Sequence, residues 1–196
     1  MMSQLRAALV LTVLFTLLTG LAYPLAITGL GQAMFPHPAN GSLVKRGEVV
    51  IGSALIGQNF TADRYFHGRP SATSAADPAD ATKTIDAPYN AANSTGSNLG
   101  PSSKALAEAV AARAQALGEG PQPADLVTSS ASGLDPHISP AGALAQVARV
   151  AQARGKPEAE IRALVERQIE GRDLGLLGEP RVNVLALNLA LDAAAP

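Results

Sequence analysis

The chain has 196 residues, enough for one domain or one domain plus an anchor, and its formal net charge is −1. It is 47% hydrophobic but only 16% charged, against about 25% in ordinary soluble domains. Without a basic excess a nucleic-acid backbone is excluded as a partner, and the absence of cysteine excludes disulfides, thiolate metal sites and a cysteine nucleophile.

The missing charge is concentrated in Ala7–Val44, 38 residues without one Asp, Glu, Lys or Arg, which argues against a plain soluble protein. Within it Ala7–Ile27 (AALVLTVLFTLLTGLAYPLAI) is apolar all round. As a helix it would rise about 31 Å, the thickness of a hydrocarbon core. A cleaved signal peptide needs a shorter apolar core and a small-x-small cleavage site, which Ala22-Tyr23-Pro24 breaks. Charge does not decide orientation, because Arg6 on one flank faces Lys45 and Arg46 on the other. Thr12, Thr16, Thr19, Gly20 and Tyr23 share one small, polar face of the predicted helix. Such a face suits packing against a partner helix; alternatively its threonines bond back to their own backbone.

Residues 28–48 read as an exit and turn region, and Val49–Ile56 as a short strand interrupted by Gly52. From Asn59 to Pro101 small polar residues, Gly, Pro and Ala dominate without a helical stripe. That is long for a loop, and it is either an ordered functional loop or a mobile one. Three helices should follow. Pro101 opens the first, with Leu106, Val110 and Leu117 apolar and Gly118 as its stop. Ser139-Pro140 caps the second, which buries Leu144, Val147 and Ala151 and ends at Gly155. Pro157 starts the third, with the stripe Ile161, Leu164, Val165, Gln168 and Ile169 and a stop at Gly171. Val182–Asp192 starts like a strand and ends like a helix. The expected fold is α+β: a single N-terminal transmembrane helix followed by one mixed α/β extramembrane domain, with residues 1–35 as the anchor and 36–196 as the domain.

No phosphate-binding GxxxxGK[ST] run, aspartyl-phosphate motif or ion-filter sequence is present. His37, His67 and His137 lack ligand spacing, so no metal site is expected. A membrane-tethered serine hydrolase would have to use Ser130 or Ser132 with His137 and Asp135, without a GxSxG elbow. Two polar runs are unusual: Tyr89–Pro101, with Asn90, Ser97, Asn98 and Gly100, and Leu126–Pro140, with Ser130, Ser132, Gly133, Asp135 and His137. Each precedes a helix N-terminus, where free N–H groups suit anions or substrate oxygens; turn and cap chemistry uses the same residues.

These runs occur in order with Gly52–Phe60, with Tyr65-Phe66-x-x-Arg69-Pro70-Ser71-Ala72, and with Gly178–Asp192 (GEPRVNVLALNLALD). Together with the anchor, they resemble the C subunit of the Kdp potassium-transporting ATPase along the whole chain. Thr95 stands where that family usually shows a second Gly, and Ser103 where Asn is common. The resemblance implies a non-catalytic, single-pass subunit of the bacterial cytoplasmic (inner) membrane with its C-terminal domain extracytoplasmic. Its partners would be a channel-like potassium-binding subunit, a P-type ATPase subunit and the lipid bilayer. It would have no cofactor of its own, ATP and potassium being handled by the complex, and it would act as assembly factor and catalytic chaperone raising ATP affinity. The family's Ser-Gly run ahead of a Gln-bearing helix has been compared with the signature loop of ABC ATPases. That comparison points to Ser130, Ser132, Gly133, Gln146 and Arg149 as nucleotide-associated, and makes a nucleotide-binding module sharing the ATPase's site the alternative. An extracytoplasmic domain could not touch cytoplasmic ATP. It could cap an ion entrance, to which Asp77, Asp80 and Asp86 against Lys83 would be mildly attractive.

Overall fold

The uncharged stretch folds largely as helix in the computed structural model, which describes residues 2–194. Met1, Ala195 and Pro196, the outer ends of the expected segments 1–35 and 36–196, lie outside the described residues. The chain separates into two units, Met1–Ile51 and Gly52–Pro196.

In the first unit α1 (Met2–Leu17) passes through a π turn (Leu18–Ala22) into α2 (Tyr23–Met34). Pro24 explains the π turn. It has no N–H to donate and its ring crowds the carbonyl four residues back. The chain accommodates this by widening one turn, so that Tyr23 N–H donates five residues back to Leu18 O. The helix contains the expected span Ala7–Ile27 and runs seven residues further, to Met34, so residues 28–34 are helix and not exit loop. Gly29 and Gly31 weaken it too little to stop it; Pro36 does, by forcing Phe35 to an extended φ of −135°. Gln4–Met34 is long and apolar enough to cross a membrane, and none of its side chains is buried. Its 31 residues span about 46 Å, more than a hydrocarbon core requires. A short α3 (Pro36–Ala39) follows, closed by Asn40 Nδ2 donating to Pro36 O at 2.6 Å. β1 (Leu43–Arg46) and β2 (Val49–Ser53) then pair as a hairpin across Gly47-Glu48, with Gly47 at φ 62°.

The second unit has its own apolar core. Phe66, Ile138, Val147, Val150, Ile161, Val165, Val182, Leu187 and Leu191 are all buried in one cluster. The Asn59–Pro101 segment is not structureless: β3 (Ser74–Asp77) and β4 (Asp80–Asp86) form an antiparallel hairpin within it. The cue was the Asp77-Pro78-Ala79-Asp80 turn, where Asp77 Oδ1 accepts from Ala79 N–H at 2.8 Å. α4 (Lys104–Leu117) starts three residues after Pro101, with Ser103 as its cap, and buries none of its side chains. α5 (Ala124–Val127) buries Leu126 and Val127.

The expected second helix is two: α6 (Pro140–Ala145) and α7 (Val147–Arg154), broken at Gln146, whose N–H turns back to Ala143 O and Leu144 O. Ser139 caps α6 and left-handed Gly155 ends α7, as the residue types require. Val147 and Ala151 are buried, and Leu144 is only partly so. α8 (Glu158–Arg167) follows Pro157, which is its cap and not its first residue. The helix stops four residues before Gly171, because Ile169-Glu170 leaves to pair as β6. β5 (His137–Ile138), β7 (Arg181–Asn183) and β6 make an antiparallel sheet in the order β5-β7-β6, with Val182 opposite both Ile138 and Ile169. Asn183 then accepts from Ala186 N–H and turns the strand directly into α9 (Val184–Ala193). The architecture is the expected mixed α/β.

Candidate functional site

The polar chemistry of the second unit gathers around residues 57–73, which cross between the helices and the two polar runs. Consecutive residues there are gripped by side-chain amides. Asn188 Oδ1 accepts from Phe66 N–H at 2.8 Å while its Nδ2 donates to Phe66 O at 2.9 Å. Gln146 does the same to His67, at 2.8 and 3.1 Å. Each pair copies the two-bond exchange of a β ladder with a side chain as the second strand. Both amides are buried, Asn188 at 2% and Gln146 at 5% exposure. Arg149 completes the grip, donating to Gln146 Oε1 at 2.7 Å, Asp63 O at 2.6 Å and Tyr65 O at 3.1 Å. Burial holds its guanidinium below its ordinary value, partly offset by Asp63. His67 is likewise pushed below 6.5 by burial and then by Arg149. On the far side Arg154 reaches Asp192 at 2.8 Å and lies over the Tyr65 ring, whose hydroxyl also donates to Asp192.

A second cluster centres on Arg69, Tyr89 and Asp135. Arg69 donates to Asp135 at 3.2 Å, and its Nε is buried without a hydrogen-bond partner. Burial opposes ionisation of Asp135, but bonds from His137 and Arg69 outweigh it and hold the carboxyl below its ordinary value. Tyr89 Oη donates to Arg69 O at 2.7 Å, and burial followed by the Asp135 charge raises the phenol to about 12. Gly68 is required here, because a Cβ would overlap Tyr89 Oη.

The two polar runs lie side by side. Ser94 Oγ donates to Ser132 O at 3.0 Å, and Gly133 is wedged at φ 66° against Thr73 and Thr95 O. Gly133 O accepts from Ser71 Oγ. Asn90 is a turn-former, donating to Ser74 O and accepting from Ala92 N–H. Ser97, Asn98 and Gly100 are exposed, with Asn98 at φ 52° and Gly100 O accepting from Ser103 N–H. At the start of α6 the N–H groups are already used: Ser139 Oγ accepts from Gly142 N–H, and Asp125 accepts from Ser139 N–H at 2.6 Å. An internal carboxylate thus occupies the positive end of that helix.

The nucleotide-associated set is split. Gln146 and Arg149 line a cavity of about 530 Å3 with His67, Arg69, Tyr89 and Arg113. Ser130 and Ser132 line another, of about 510 Å3, with Leu55, Arg69 and Asp135. Ser132 Oγ accepts from Leu134 N–H. His137 Nδ1 stands 3.6 Å from Asp135 Oδ1 and opens on a third depression with Ser139, apart from Ser130 and Ser132. Among the described residues no group of three or more His, Asp or Glu side chains is placed to hold a metal ion. Asp80 is already matched, to Lys83 at 3.1 Å and to Thr82. On the anchor, Thr12 and Thr16 lie in α1, Thr19 and Gly20 in the π turn, and Tyr23 opens α2; Thr19 Oγ1 donates to Phe15 O at 2.6 Å. Residues given no role from sequence include Arg69, Asp125 and Asn188. Arg69 and Asn188 both lay in runs that carry the family resemblance, and Asn188 also stood out as a polar residue within an otherwise apolar helix stripe.

Comparison with known proteins adds what geometry does not. The family described as KdpC, the K+-transporting ATPase c chain, matches residues 5–193. A protein of Methylorubrum extorquens named "Potassium-transporting ATPase KdpC subunit" is 63% identical over 196 residues, covering 97% of each chain. One of the same name from Methylobacterium nodulans is 64% identical over 199 residues, covering 100% of this chain and 99% of the relative. A third, from Rhodopseudomonas palustris, is 62% identical over 200 residues and covers both chains in full.

Proposed function

The chain belongs to the KdpC family, the c chains of K+-transporting ATPases, and from that premise we propose that it is a non-catalytic accessory subunit of a high-affinity ATP-driven potassium uptake complex. In this reading it assembles and stabilises the complex and acts as a catalytic chaperone that raises the ATP affinity of the ATPase subunit. Its partners are that subunit, the channel-like potassium-binding subunit and the bilayer. The second unit stands on the extracytoplasmic side of the bacterial inner membrane, behind one membrane-spanning helix.

The observation that supports this best is how the polar groups of the second unit are used. Among the side chains with shifted ionisation or buried amides, Gln146, Arg149 and Asn188 bond to backbone, and Asp135 and Asp192 pair with Arg69 and Arg154. A helix whose apolar side chains are all exposed suits a chain that completes itself against lipid and other subunits.

Co-expression with the two large subunits tests the reading. The chain should co-purify with both; its omission should lower recovery of the complex and raise the ATP concentration needed for half-maximal turnover. ATP hydrolysis by the isolated chain, or an unchanged ATP requirement without it, would count against the reading. A nucleotide-binding module remains the second reading, favoured by the cavity that joins Arg69, Arg113 and Arg149 with no Asp or Glu among its described lining residues. Protease protection in sealed vesicles separates the two, because a second unit cut only from the outside cannot meet cytoplasmic ATP.

A further inference from the structure

The two most exposed large apolar side chains outside the membrane helix, Leu174 and Leu176, sit on one loop with a third exposed leucine, Leu177. Between β6 and β7, Leu174, Leu176 and Leu177 are 91%, 79% and 63% exposed. An exposed leucine alone needs no explanation, but three within four residues on a tight tip do. The tip is also closed on itself by hydrogen bonds and ion pairs. Asp173 and Leu177 exchange both backbone hydrogen bonds at 2.9 Å, and Leu176 N–H returns to Asp173 O. Arg172 clamps Glu179 through both carboxylate oxygens at 2.8 and 2.7 Å, and Arg181 bonds Asp173 and Glu170. Leu174 has φ 54°, the left-handed region that favours glycine, so the loop keeps a bulky side chain where its backbone would prefer none. A floppy, polar, glycine-tipped turn would be the easier way to join β6 to β7.

Three occupants are possible for such a knob, and the surroundings choose among them. A bilayer surface is recognised by apolar residues backed by free Lys or Arg and interfacial aromatics. Here both arginines of the loop are neutralised within it, and it has no aromatic residue. A second copy meeting tip to tip would cover only a few hundred Å2, well below the roughly 1,200–2,000 Å2 of a stable interface. A concave socket has neither difficulty. It surrounds each leucine, needs no charge at its rim, and need not hold the chain by itself where another contact already limits separation.

We infer that the Leu174–Leu177 tip is a preformed plug that inserts into an apolar, uncharged socket on another subunit of the potassium-transporting ATPase. The inference rests on the accessory-subunit reading above. The leucines supply the contact, and the Arg172–Glu179 and Arg181–Asp173 pairs fix the tip so that little conformational freedom is lost on docking.

The test uses the full-length chain co-expressed with its partner subunits in native membranes. A photo-crosslinking benzoylphenylalanine replacing Leu176 should give an adduct with one of the ATPase subunits, identified by mass, and the same probe replacing exposed Leu117 should not. Adducts only with lipid, only with a second copy, or with nothing would overturn the plug. In parallel, the L176S/L177S chain should be retained by the complex about tenfold less tightly in detergent washes, with an unchanged unfolding midpoint showing that the domain is intact. Equal retention of the double variant and the unaltered chain would refute the plug and leave the subunit reading standing. Failure of the unaltered chain to be retained at all would refute both.

Discussion

Asn188→Ala should be among the most damaging single changes in the second unit, although it removes no apolar group. The side chain is 2% exposed and spends both of its polar ends on Phe66, at 2.8 and 2.9 Å. Phe66 itself is fully buried, so water cannot replace either bond. Truncation leaves one N–H and one C=O unsatisfied in the core, each costing about 1–3 kcal/mol. Relief of the side chain's own entropy and partial collapse of the space offset some of this. The expected loss is about 3 kcal/mol, which for a domain of this size lowers Tm by roughly 12 °C. Urea unfolding of the purified full-length chain, followed by near-UV signal, measures it. Asn93→Ala provides the control, because Asn93 also donates to a backbone carbonyl, Ser74 O, but is exposed; it should stay within about 0.5 kcal/mol of the parent. If Asn188→Ala also stays within about 0.5 kcal/mol, the buried amide is not what holds residues 66–67 in place.

Other outcomes follow from the same network. The His67 imidazole sits below its ordinary 6.5 because burial, then Arg149, disfavour its cation. The unfolded chain therefore binds a proton first, and stability should fall as pH drops below about 6.5; the His67→Gln chain should show a shallower decline between pH 7 and 5 in pH-stepped unfolding, and parallel declines would reject the assignment. Gly68→Ala should cost about 1–3 kcal/mol through collision with Tyr89 Oη, and less when introduced together with Tyr89→Phe; equal costs in the two backgrounds would show that the clash is elsewhere. Ser139→Ala should lose about 1 kcal/mol by removing the acceptor for Gly142 N–H; a neutral result in thermal unfolding would mean Asp125 alone suffices as the cap.

Local chemistry was the readable part of the fold. Ser139-Pro140 and Gly155 announced helix ends that the structure keeps, and the alternation in Arg181–Asn183 followed by an apolar stripe announced β7 turning into α9. What failed to show was decided by distant partners. Ile169 fits the helical stripe of α8 well, yet Val182 draws it into a sheet formed across a separate loop. Gln146 looks like an ordinary helix residue until His67, 79 positions earlier, claims its amide. Pro101 has the composition of a helix start, but Ser103 supplies the acceptor. The candidate site divides the same way. The adjacency of the two polar runs follows from no local pattern, because it depends on Gly133 fitting against Thr73 and Thr95.

The π turn at Leu18–Ala22 alters the geometry of the membrane helix itself. Each residue of a regular helix advances the azimuth by about 100°, so one additional residue in a turn offsets everything beyond it by about that angle. Thr12 and Thr16 keep a common bearing, but Tyr23 no longer points along it. The polar stripe drawn on an ideal helix becomes two short patches, separated by roughly a quarter of the circumference. A straight neighbour running alongside can meet one patch only. To meet both, it must cross the helix obliquely at the level of Gly20, where the missing side chain allows the closest approach.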